Sequence, residues 1–247
     1  MTGLVLALFA AAAVLGLSEA TRVGRRRRAR DRVARDAIAD PNLRGRAITG
    51  LRAELVRLKG RPSWTTRWFG TRSLAQELCE IRLVLALMLL VDDRPEDALE
   101  NLVLIDPNAI PKHLQAVLAM HAIEAHLRLG EWHAAERVIE GYPPDALNAN
   151  GRAMRANAKA QIRLGRQDAR GALRCLEEAQ PIPDEVRPEL ELTRARALAA
   201  EGRDAAEVWR ILQAQPRGAL ELLLRRHGGE AATQVARRIL DGEPERR

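Results

Sequence analysis

His126 to Pro144 read HLRLGEWHAAERVIEGYPP. A Leu-rich helix end meets a glycine, then an aromatic, then small and apolar residues at helical spacing, and the stretch closes on two prolines. A looser form of this order returns three times, without the turn aromatic and in the first without the glycine, as LMLLVDDRPEDALENLVLIDP from Leu87, IRLGRQDARGALRCLEEAQP from Ile162 and LAAEGRDAAEVWRILQAQP from Leu198. Aligned on the turn, Asp93, Gly130, Gly165 and Gly202 fall 37, 35 and 37 residues apart. A fixed period of this length marks stacked supersecondary units. Each unit predicts a helix, a tight turn and a second helix that stops at Pro107, Pro143, Pro181 or Pro216, because proline cannot continue the hydrogen-bond ladder.

Composition agrees with an all-α chain. Only 3% of the 247 residues are aromatic and 47% are apolar, and Ala, Leu, Arg and Glu dominate, which favours helix over sheet. The two cysteines, Cys79 and Cys175, cannot build a disulfide framework. The net charge of +7 is regional: residues 22–72 carry +12, while residues 73–247 carry −4. Basicity is therefore a property of one segment and not a signature of nucleic-acid binding by the whole chain.

That segment follows an apolar run, GLVLALFAAAAVLGL, from Gly3 to Leu17. As a helix, residues 2–20 reach roughly 28 Å, against about 30 Å of hydrocarbon, which predicts a single transmembrane anchor. The cluster Arg25, Arg26, Arg27 and Arg28 lies after the run, so the positive-inside rule puts the N-terminus outside and the rest of the chain in the cytoplasm of a bacterial inner membrane. The alternative is a signal peptide cut near Ala20, giving an exported or periplasmic protein.

Residues 21–72 read as a basic juxtamembrane linker too charged to bury, lying along the membrane surface through Arg25 to Arg28. Ile48, Leu51, Leu55 and Leu58 predict a short amphipathic helix within it. Trp64 and Trp68 suit an interfacial anchor or the end of a core. Residues 73–240 form the repeat domain, with units near 73–107, 112–144, 150–181 and 187–216, a capping hairpin at 217–240 and a frayed tail at 241–247. The apolar run from Leu83 to Val91 is too short to span a bilayer and is assigned to the buried first helix of unit one, under the Leu51/Leu55/Leu58 helix.

In residues 73–216 the chain resembles the tetratricopeptide repeat family. Ala98 stands at the family's small position, with Leu102, Asp106 and Pro107 at the bulky and closing positions. Leu129, Gly130 and Trp132 form the turn signature, and Ala135 and Ala172 repeat the small residue. The resemblance implies an α-solenoid whose first helices line a concave, peptide-holding face. Carried onto unit three, and counted back from Gly165, that face holds Arg152, Arg155, Lys159 and Arg163, with Arg196 added from unit four. They lie at i, i+3, i+7 and i+11, one cationic stripe along a helix, with Asn148, Asn150 and Asn157 nearby.

An acidic peptide or protein segment fits such a stripe, because like charges on one face repel until a carboxylate-rich partner relieves them. The alternative is a solvated face neutralised by Glu189 and Glu191. Self-association into a homo-oligomer is a further partner class, and nucleic-acid binding by the arginine run ranks last. His121-x-x-Glu124 is a weak metal pair. No phosphate loop, dinucleotide fingerprint or nucleophile elbow is present in the sequence, so no catalytic residue, cofactor or metal is assigned. The expected function is that of a membrane-tethered adaptor or assembly factor rather than an enzyme.

Overall fold

The structure, a computed structural model, describes residues 24–60, 71–141, 148–203, 205–227 and 230–242, and every regular element among them is helical. The expected span at 2–20, Trp64, Trp68, Pro143 and the end of the tail lie outside the described residues. Among those described, no helix is long and apolar enough to cross a membrane. The chain divides into two compact units, one ending at Pro111 and one beginning at Lys112. This boundary falls inside the segment read above as one repeat domain.

The first unit holds α1 (24–39), α2 (Pro41–Lys59), α3 (Thr71–Val91) and α4 (Pro95–Leu102). Asp40 separates α1 from α2 by capping: its carboxylate accepts the Asn42 N–H at 2.9 Å, and Pro41 follows where its missing N–H costs nothing. The amphipathic reading of α2 covers only its second half, because the helix begins at Pro41. It buries Ala47, Ile48, Leu51, Leu55 and Leu58 and lies against α3. The Leu83–Val91 run sits within α3, whose Ile81, Leu85, Met88 and Leu89 are fully buried. Arg44 ties the ends together, donating to the Ala37 carbonyl at 3.3 Å and the Val91 carbonyl at 3.4 Å, where a cation suits the negative ends of α1 and α3.

The basic segment is folded, contrary to the expectation of a linker too charged to bury. Ala34 and Ala37 of α1 are buried, and Arg30 between them and the N-terminus is only 6% exposed. It faces Glu54 at 3.4 Å, Glu77 at 3.5 Å and Glu80 at 3.8 Å. Carboxylates supplied by α2 and α3 compensate the buried guanidinium, which a count of charges along one segment does not reveal.

The second unit holds α5 (Lys112–Arg128), α6 (Trp132–Glu140), α7 (Ala149–Gly165), α8 (Ala169–Glu177), α9 (Arg187–Glu201), α10 (Ala205–Gln213), α11 (Arg217–His227) and α12 (Ala231–Leu240). They pair as hairpins, and α7 packs on both α5 and α6, as α9 does on both α7 and α8. In the last hairpin it is the second helix, α12, that lies on α9 and α10. Ile123, Leu127, Ile139 and Ile162 fill the first interhelical layer, Leu176 and Leu190 the next, and Val208, Leu212, Leu220 and Leu223 the last. The second helices end at Leu102, Glu177 and Gln213, ahead of Pro107, Pro181 and Pro216, so the prolines follow the helix ends without forming them.

One turn geometry recurs across the units. Asp93, Gly130, Gln167 and Gly202 have φ of 59°, 71°, 62° and 71°. The next N–H in each case bonds a carbonyl five residues back: Arg94 to Leu89, Glu131 to His126, Asp168 to Arg163 and Arg203 to Leu198, at 2.8–3.1 Å. This is the Schellman closure of a helix. The third turn is therefore at Gln167 and not at Gly165, and the spacings become 37, 37 and 35. Five residues beyond the first three turns stand Ala98, Ala135 and Ala172, each fully buried. Gly165 lies inside α7 for a different reason: a Cβ there would sit 2.5 Å from Cζ2 of Trp132. The ring from one hairpin rests on the bare backbone of the next.

Two substitutions in unit three move stability in opposite directions. Gly165→Ala overpacks the Trp132 ring and loses about 1–3 kcal/mol, whereas Gln167→Gly relieves a left-handed residue and gains about 0.5–1 kcal/mol. Urea unfolding of both variants checks this, and a turn located at Gly165 would give the reverse signs.

Candidate functional site

Asn148 opens α7 by accepting the Gly151 N–H at 2.8 Å, and a run rich in alanine and straight-chain residues carries the helix onward. Ala153, Asn157, Ala158, Ala160 and Ile162 turn inward. The expected cations occupy the remaining face, but they differ in availability. Arg152 and Arg163 are exposed, while Arg155 and Lys159 are partly buried. Arg155 donates through Nη2 to the Ile139 carbonyl at 3.4 Å, at the C-terminal end of α6, and so has a part in holding the hairpins together. Arg163 reaches the Asp168 carboxylate at 3.5 Å across its own turn. Lys159 has no carboxylate within ion-pair distance among the described residues. Asn157 is buried and its Oδ1 has no hydrogen-bond partner, so of the three asparagines named above it is not one that a ligand backbone reaches from solvent.

Arg196 does not belong to an open stripe. It is 8% exposed, and its guanidinium grips Glu230 in a two-bond fork, Nε to Oε2 and Nη2 to Oε1, both at 2.7 Å. Glu230 is the N-cap residue of α12, so the pair fastens the last hairpin to α9. Burial alone would raise the Glu230 pKa, but hydrogen bonds from Arg196 and His227, with their charges, outweigh it and hold the carboxyl down at about 2. Glu189 and Glu191, expected as neutralisers of the α7 stripe, lie on α9, and Glu191 lines a separate cavity.

That cavity, about 420 Å³, was not anticipated. Leu173 and Leu176 of α8, Ile182, and Leu190 and Leu198 of α9 make its apolar floor, with Glu177, Glu191, Arg194 and Glu207 among its polar lining. Arg194 Nη2 donates to Glu207 Oε1 at 2.7 Å, bridging α9 to α10 along the rim. Helical periodicity places Leu190, Arg194 and Leu198 on the side of α9 opposite Arg196. In the sequence nothing marks that helix packing leaves space beside these leucines. The cavity can seat an apolar side chain between charged flanks.

Among the described residues nothing reactive gathers around either surface. Burial pushes the thiols of Cys79 and Cys175 up, which keeps them protonated. The His121/Glu124 pair is divided, since Glu124 accepts from Arg128 at 2.8 Å while desolvation holds the partly buried His121 imidazole down at about 4, only partly opposed by Glu124. Among the described residues no three His, Cys, Asp or Glu side chains come together as metal ligands. In the first unit Arg25, Arg27 and Arg28 are exposed and Arg26 is partly buried. Compared with known proteins, the chain matches no family model, no curated protein and no solved structure.

Two titrations follow. The folded state keeps His121 neutral down to about pH 4, whereas the unfolded chain takes up its proton near 6.5; stability therefore falls as pH drops through that window, and His121→Gln flattens this part of the curve. Glu230 acts lower: its contribution is present above about 4.5 and is lost as pH falls toward about 2. Arg196→Ala costs about 1–3 kcal/mol near neutrality, and its difference from wild type shrinks over that acid range. Urea midpoints measured against pH for the three proteins check both statements.

Proposed function

We propose that the chain is a membrane-anchored scaffold whose tetratricopeptide-like hairpins hold a segment of another protein. The observation that carries this reading is the recurrence of one turn, at Asp93, Gly130, Gln167 and Gly202, each of the first three followed at the same distance by a buried alanine. A chain that repeats one hairpin gains no chemistry from the repetition; it gains surface, since within the second unit each hairpin adds another helix face to those it packs on. The helices of the repeated hairpins are unequal, with second helices of eight to ten residues against first helices of up to 21.

Within the array the α7 face is the docking surface, and Arg152, Lys159 and Arg163 are its contact residues, with Arg155 supporting from below. An acidic segment gains charge-assisted hydrogen bonds there. The apolar run from Gly3 to Leu17 serves as the anchor, placing the remainder of the chain on the cytoplasmic side of an inner membrane. Tethering raises the effective concentration of the array toward other membrane-bound proteins without adding any contact.

The test compares wild type with the Arg152→Glu, Lys159→Glu double variant, both full-length and membrane-inserted, in a crosslinking pulldown. Arg155 is left intact because of its bond to α6. A protein captured by wild type is lost by tenfold or more from the double variant while the unfolding midpoint holds. Equal capture by both contradicts the assignment of the α7 face.

A further inference from the structure

The arginine run at the start of α1 is sorted by helical geometry into two sets with different surroundings. Arg30 turns inward with Ala34 and Ala37, on positions i, i+4 and i+7, and its carboxylate partner Glu77 is itself only 5% exposed. Arg27 leans the same way, its Nε 3.7 Å from Glu80. Directly opposite, at i, i+3, i+7 and i+10, stand Arg25, Arg28, Arg32 and Arg35, all exposed. That spacing makes one straight stripe roughly 15 Å long.

None of the four has a carboxylate within ion-pair distance among the described residues. Arg28 and Arg35 use Nε to reach backbone carbonyls four residues back, Gly24 at 3.4 Å and Asp31 at 3.3 Å. Val33 and Ile38, 49% and 43% exposed, lie further round the helix on either side. The inward set thus holds α1 on the first unit, while the outward set concentrates positive charge on a face where only Asp31 and Asp36 lie nearby on the helix, neither within ion-pair distance.

We infer that this outward face of α1 lies on the anionic lipid headgroups of a bilayer, so that the first unit rests against the membrane surface. The inference rests on the anchoring reading above and adds to it the contact face. Charge complementarity selects the occupant: four exposed guanidinium groups, outnumbering Asp31 and Asp36 at the edges of the stripe, fit a surface of phosphates, to which each contributes about fivefold in partitioning. Position selects the same occupant, because Arg25 comes only eight residues after Leu17, the end of the apolar run. A duplex or single-stranded nucleic acid offers phosphates as well, but nothing in the chain places it beside α1.

The experiment footprints arginines in the full-length chain with phenylglyoxal, read by mass spectrometry. The chain is mixed with phosphatidylcholine vesicles, with vesicles containing phosphatidylglycerol, or with mixed-sequence RNA, and vesicle-bound protein is separated by flotation. The expected result is at least fivefold protection of Arg25, Arg28, Arg32 and Arg35 on the anionic vesicles alone, reversed by 1 M salt, with Arg46 and Arg57 of α2 labelled equally throughout. In an Arg28→Gln, Arg32→Gln, Arg35→Gln variant the protection of Arg25 is lost while the unfolding midpoint holds.

Flotation on both vesicle types with equal labelling overturns the contact face and leaves the anchor standing. Flotation and protection only on anionic vesicles supports the contact face while removing the anchor. Flotation on neither overturns both. Protection by RNA without protection by anionic vesicles reassigns the face to nucleic acid and overturns the lipid contact.

Discussion

Each repeated hairpin depends on one chain reversal, in which a residue held in the left-handed region lets the following N–H reach back five residues to a helix carbonyl. That bond fixes where the second helix starts and how far round it is turned. An alanine five residues later is then carried to the line where the two helices meet, and at Ala98, Ala135 and Ala172 no larger side chain is present to hold them apart. The turn needs only backbone groups and one tolerated positive φ, so it persists while the residue filling it changes from Asp93 to Gly130 to Gln167 to Gly202. Geometry repeats more faithfully than sequence.

This explains what was legible beforehand. Helical spacing, the scarcity of aromatics and the recurring break were enough for an all-helical chain of hairpins, because all three can be read along the chain. The position of the third turn was misread because glycine is the strongest local cue for a left-handed residue, and Gly165 lies two residues from the real one. Its lack of a side chain serves the neighbouring Trp132 ring instead. Such close approach between hairpins is a tertiary fact that no single repeat displays.

Charge was the less legible half. A cluster of arginines in sequence suggests solvent or lipid, and the exposed members of α1 fit that picture, but Arg30 and Arg196 are buried against carboxylates 24 and 34 residues away, Glu54 and Glu230. Both join elements that the sequence presents as separate: α1 with α2 and α3, and α9 with α12. Removing either arginine leaves carboxylates without the guanidinium that bridges them to another helix, so these two side chains belong to the architecture, whereas Arg152, Lys159 and the outward face of α1 belong to the surface. The cavity beside α9 was hidden for a related reason, since a leucine stripe at core spacing does not say whether its neighbours close over it.

The most direct measurement of the account is amide hydrogen exchange at the four reversals. If they are the structural period of the chain, the N–H groups of Arg94, Glu131, Asp168 and Arg203 exchange as slowly as those in the interiors of the adjoining first helices. Rapid exchange at these four amides, with protection instead centred on the residue after Gly165, would contradict the repeated hairpin on which the architecture and the proposed docking surface both stand.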